Sequence, residues 1–176
     1  MPTEFSTAEM LPAARKIDGA LDEMASVEAF MAEDPFATEI APMRWSAVTT
    51  VAAAIHNTYN GIEDAMKTVC SRVDGSVPEG PTSHQAIIDQ LSVAHRKVRP
   101  AVLDRELAAR LQELKAFRHR VNHNYANDLN EERVLANLDL MRKSLPDFVA
   151  AMLKLDAYLS EPGDHDNDDT SGDFKP

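Results

Sequence analysis

Apolar residues recur at helical spacing through most of this chain. In "TAEMLPAARKIDGALDEMASVEAFMAE", Leu21, Met24, Val27, Phe30 and Met31 share one side, which predicts an amphipathic helix closed by the proline-marked link "DPFATEIAP". From about Met43 to Val73 the stripe Val48, Val51, Ala52, Ile55, Tyr59, Ile62, Met66 and Val69 predicts a second, longer helix, followed by the turn-rich "DGSVPEGPTS". A third helix is expected with Thr82 or Ser83 as its N-cap, carrying Ile87, Ile88, Leu91 and Val98, and Pro100 fits near the start of a fourth. The fourth is expected to run to about Tyr125 or Asn127. "NDLNEERV" then reads as a stop and a new start, with Asn130 as cap and Glu131 and Glu132 in the first turn, where the helix dipole favours acids. The fifth helix should reach about Tyr158, kinked or interrupted at Pro146, because proline removes a backbone hydrogen bond and crowds the preceding turn.

Composition agrees with this pattern. At 176 residues the chain can bury one real core, and 44% hydrophobic residues with only 6 Gly favour an all-α protein. The closing "EPGDHDNDDTSGDFKP" has almost nothing to bury and is expected to be disordered. The expected division is therefore an acidic helix and linker over 1–41, a helical bundle over 42–160 and an acidic tail over 161–176.

The net charge of −11 argues against a polyanion partner only until its distribution is read. Residues 1–41 carry nine acids and two bases, and residues 161–176 carry six acids and one base, so the middle of the chain is close to neutral. Within that middle, His95 to Arg120 holds eight Lys or Arg against three acids. A single cysteine, Cys70, excludes an internal disulfide. The start "MPTEFSTAEM" lacks a secretory pattern, and the run Val48 to Ile55 is far shorter than a membrane span, so a cytoplasmic protein with no membrane contact is expected.

The fourth helix contains a conflict. Leu107, Leu111, Leu114, Phe117 and Val121 form its apolar stripe, yet Arg118, Asn122 and Tyr125 fall on the same stripe. A buried guanidinium without its partner costs on the order of 3–5 kcal/mol. Either Arg118 has a carboxylate partner inside the bundle, or the stripe opens there into a cleft or a subunit interface, for which a groove between two copies is the more natural place. His119 and His123 share a different face at metal-binding spacing, but His56, His84, His95 and His165 form no recognisable ligand set with them. No metal and no cofactor are expected.

The segment "FRHRVNHNY" places Arg118, His123 and Tyr125 as R-x4-H-x-Y, which resembles the signature of HepT-type toxins of the HEPN superfamily. "IHNTYNGIEDAMKTV", "VDGSVPEGPTSHQAIIDQL" and "FRHRVNHNYANDLNEERV" resemble that family's early helix, loop with third helix, and approach to the last helix, so the likeness spans roughly residues 45–160. The chain has Ser83 just before the loop histidine, His84, where close relatives often carry an aromatic residue, and Asn122-His123 where they often carry a second "RH" pair.

The resemblance implies a HEPN-like four- or five-helix bundle, with the first helix added, that dimerises so that two motifs meet in one cleft. It also implies a metal-independent endoribonuclease. His123 would take the proton of the ribose 2'-hydroxyl, and Arg118 would hold the scissile phosphate and its developing charge, with His119, Asn122 and Arg120 as supporting or RNA-contacting residues. Arg96, Lys97 and Arg99 are further candidates to steer RNA. The partner implied is an MNT-type nucleotidyltransferase antitoxin that adds AMP to Tyr125, placing phosphate charge where the RNA phosphate must lie. The alternative is a catalytically silent HEPN-like bundle that binds a partner protein or a nucleotide.

Overall fold

The computed structural model describes residues 3–123 and 129–161, except for the side chains of residues 122 and 123. It contains α1 (Leu11–Ala32), α2 (Ala41–Arg72), α3 (Ser83–Leu91), α4 (Arg105–His123) and α5 (Glu131–Ser160). Among the described residues the only β feature is an isolated bridge between His95 and Arg99, so the protein is all-α. The end of α4 near Tyr125 or Asn127 and the tail from residue 162 lie outside the described residues.

Helix α2 is the spine. It packs against each of the other four helices, and its predicted stripe is buried, with Val51, Tyr59, Ile62, Met66 and Val69 fully inaccessible. α1 lies closest to it. A Cβ at Gly61 would come within 2.9 Å of the Lys16 carbonyl oxygen and 3.0 Å of the Ala20 Cβ, so the two helices touch almost backbone to backbone. The N-terminal arm is fixed to the far end of α5: the Asp156 carboxylate accepts from the Ser6 and Thr7 amides at 2.7 and 3.0 Å, and from both hydroxyls.

The connection between α3 and α4 corrects the sequence reading. α3 ends at Leu91 without reaching Val98, and Pro100 lies in the loop well before α4 begins at Arg105. Arg99 explains the loop. Its buried guanidinium donates to both Asp74 oxygens at 2.7 Å and to the carbonyls of Gln90, Val93 and Pro100, so one side chain satisfies backbone acceptors that a helix would otherwise use. Helix α4 starts only where Asp104 can cap it, accepting from the Leu107 amide at 2.8 Å.

Asn130 caps α5 as expected, its side chain accepting from the Arg133 amide at 3.0 Å. Pro146 does not interrupt α5, which stays helical on both sides of it. Met141, Ser144, Leu145 and Phe148 are buried around the proline, and that packing outweighs the single lost backbone bond.

Candidate functional site

The stripe of α4 is buried through Leu107, Leu111, Leu114 and Phe117, and Arg118 follows directly on it. Arg118 does have an internal carboxylate partner: Nη1 donates to Glu63 Oε2 at 2.9 Å. Glu63 stands on the inner side of α2, one turn after Tyr59, and is only 2% exposed. A carboxylate this deep requires partners, and it has three. Lys67, one turn further along α2, approaches Oε1 at 2.5 Å, while His84 Nδ1 shares Oε2 with Arg118 at 2.6 Å.

The guanidinium is held from a second direction. Its central carbon lies 6.0 Å from the Tyr59 ring centroid, and Tyr59 is fully buried. Burial, and next the Glu63 carboxylate, push the Tyr59 phenol well above its ordinary range despite the opposing charge of Arg118. His56, one turn before Asn60 on α2, is held below the usual imidazole range first by burial and then by the Arg118 charge. Among the described residues the buried atoms Arg118 Nε, Tyr59 Oη, His56 Nδ1 and Asn60 Oδ1 find no hydrogen-bond partner. All four belong to residues of α2 and α4, which pack directly on each other.

Outward from this pair, Arg118 remains 21% exposed and His84 40% exposed as side chains, and both line an open groove of about 590 Å³. Thr82 and Gln85 form one wall; Lys115, His119 and Arg120 of α4 form the other. The Lys115 ammonium donates to the Gln85 amide oxygen across it. Among the described residues no acidic side chain lines the groove, and the carboxylate beneath it is shared by two permanent cations, so the described lining is net positive. Another groove, of about 500 Å³ between residues 100–107 and α5, carries Asp104, Asp147 and Lys154 and no such convergence of cations.

The structure therefore brings Arg118, His119 and Arg120 to one groove. The side chains of Asn122 and His123 and the whole of Tyr125 lie outside the described residues. Arg99 is corrected: it is sealed in the α3–α4 loop against Asp74 and cannot meet a solvent-borne polyanion, whereas Arg96 and Lys97 are exposed. Three residues of the cluster were not among the candidates read from the sequence, Glu63, Lys67 and His84. For Glu63 the signal was present, an acid on the apolar side of α2 between Tyr59 and Met66, the same kind of conflict that exposed Arg118. For His84 the signal was the resemblance alone, which sets a histidine in this loop without giving it a role.

In this all-α bundle a groove lined by cations thus lies over a buried carboxylate ringed by Lys67, His84 and Arg118. Residues 50–159 match the model of the family described as HepT-like protein. The chain belongs to that HepT-like family of the HEPN superfamily, whose members are generally nucleases that dimerise and pair with antitoxins. Comparison with curated proteins and with solved structures returned no match. The match covers most of α2, all of α3 and α4, and nearly all of α5, and leaves α1 outside it. No helix of the described residues is long and apolar enough to cross a membrane.

Proposed function

We propose that the protein is the endoribonuclease toxin of a HEPN/MNT-type toxin–antitoxin pair, working as a homodimer without a metal cofactor. The observation that carries this reading is Arg118: a guanidinium of the R-x4-H-x-Y motif, oriented by Glu63 and opening on a groove of cations. A positively charged, preoriented donor at a groove floor is what a scissile phosphate requires, because its developing charge is stabilised only by groups already in place. His123 serves as the base for the 2'-hydroxyl, so the product is a 2',3'-cyclic phosphate and DNA is not a substrate. Arg120, His119 and Asn122 contact the RNA or support the motif. The antitoxin silences the enzyme by adding AMP to Tyr125, which loads the groove with phosphate charge. Residues 42–160 act as the catalytic bundle, with 1–41 as an added layer.

The test is cleavage of single-stranded RNA in EDTA by wild type and by Arg118→Ala and His123→Ala, whose activity should fall by about 10²-fold or more. One observation favours a second reading, a catalytically silent bundle binding a nucleotide or partner: Arg118 spends Nη1 on Glu63 rather than presenting every donor to the groove. Wild-type protein inert toward varied RNAs, yet retaining nucleotide, would select that reading.

A further inference from the structure

The cluster contains an imidazole for which the motif has no role. We propose that His84 is a further catalytic residue of the RNA-cleaving site, the acid that protonates the departing 5'-oxygen; this rests on the ribonuclease reading above.

Position comes first. Glu63 Oε2 accepts from Arg118 Nη1 at 2.9 Å and meets His84 Nδ1 at 2.6 Å, so one oxygen atom fixes both side chains relative to each other. A phosphate gripped by Arg118 on the groove side lies beside the His84 ring. Glu63 brings no such phosphate partner to the groove itself, being 2% exposed beneath it.

The tautomer follows from the same contacts. The Glu63 carboxylate sits between Lys67 and Arg118 and accepts only, so His84 Nδ1 carries the hydrogen of the 2.6 Å contact. The 3.4 Å approach of Arg118 Nη1 to Nδ1 is then donor beside donor, and contributes proximity rather than a bond. Nε2 is left as the nitrogen that gives up or takes a proton at the groove. Glu63 holds the Nδ1–H throughout, so the ring exchanges its other proton at Nε2, the arrangement a reusable acid needs. The charged and titratable groups around the ring are Glu63 and Lys67 from α2 and Lys115, Arg118 and His119 from α4.

In the step, the bond from the 2'-oxygen to phosphorus forms while the bond from phosphorus to the 5'-oxygen breaks. The 2'-hydroxyl proton passes to His123, and the Nε2 proton of His84 passes to the 5'-oxygen, which leaves as a hydroxyl. One proton exchanged with water then restores both imidazoles. Glu63 is a positioning residue in this scheme, acting through His84 and Arg118.

The experiment compares wild type, Arg118→Ala and His84→Gln on an RNA oligonucleotide and on the same oligonucleotide with sulfur in place of the bridging 5'-oxygen. A thiolate leaves without a proton. His84→Gln is expected to cut the oxygen linkage about 10²–10⁴-fold more slowly than wild type, to cut the sulfur linkage at close to the wild-type rate, and to lose the alkaline fall in the wild-type kcat/KM profile. His84 is 40% exposed, so glutamine is accommodated there, and a thermal melt of each variant accompanies the assay. Equal loss on both linkages, or no loss on either, overturns the role of His84 while Arg118-dependent cleavage keeps the ribonuclease reading. Wild type inert on both linkages overturns the two together.

Discussion

Arg118 of α4 and Glu63 of α2 meet at 2.9 Å although one stands on the apolar stripe of its helix and the other is 2% exposed. Each of these polar intrusions is tolerated because of the other. Removing both partners should therefore cost less than the two single removals added together. Glu63→Ala leaves the partly buried Arg118 without its carboxylate, while Lys67 can turn to solvent, and is expected to destabilise by about 2–3 kcal/mol. Arg118→Ala leaves Glu63 with Lys67 and His84 and should cost less, about 1–2 kcal/mol. The double variant should be more stable than the two losses added, a coupling that denaturant melts of the four proteins would measure.

The Asp74–Arg99 pair organises the α3–α4 loop and should control acid stability. Burial opposes ionisation of Asp74, but the paired hydrogen bonds from Arg99, with help from Gln90 and His95, prevail and hold its carboxyl below the ordinary range. The unfolded chain then binds more protons than the folded one as pH drops toward the native value. The contribution is complete above about pH 4, the unfolded carboxyl range, and is lost as pH falls through the depressed native value. Asp156, whose burial is outweighed by the combined Ser6 and Thr7 donors so that its carboxyl also lies below the ordinary range, acts in the same sense. Asp74→Asn should lower stability by about 3–5 kcal/mol at neutral pH and flatten the acid limb; an unchanged acid limb in urea melts would contradict the assignment.

Gly61 should tolerate no large side chain. Alanine in its place gains about 1 kcal/mol of helix propensity but must push the Lys16 carbonyl back from 2.9 Å, while leucine must separate α1 from α2 altogether. Gly61→Leu is expected to cost about 3 kcal/mol or more, a fall in melting midpoint of about 6–12 °C for a chain of this size. A midpoint within a degree of wild type would mean that α1 does not lie against α2 as described.

Cys70 is fully buried, and burial together with the neighbouring Asp74 pushes its thiol up to about 11. The reactive thiolate is thus scarce at neutral pH as well as inaccessible. A water-soluble thiol reagent at pH 8 should label native protein at the rate of unfolding only, and label it at once in denaturant. Fast native labelling would place the cysteine outside the core.

The helices were legible because long amphipathic stripes leave few alternatives: Tyr59, Ile62, Met66 and Val69 can only be buried together. The region between Leu91 and Arg105 was not, because its geometry comes from a tertiary contact, Arg99 with Asp74, that no local spacing encodes. The same holds for Pro146, where packing around Leu145 and Phe148 overrides a local breaker. In the candidate site Arg118 announced itself by breaking its own helix's pattern. His84 did not, since its relation to Glu63 exists only once α3 docks on α2.

The central claim is tested most directly by the cleavage chemistry itself. Wild-type protein incubated with single-stranded RNA in EDTA should release fragments ending in 2',3'-cyclic phosphate, should leave the all-deoxy strand intact, and should lose this activity in His123→Ala with an unchanged melting curve. Cleavage undiminished in that variant, or no cleavage by the wild type of any RNA offered, would contradict it.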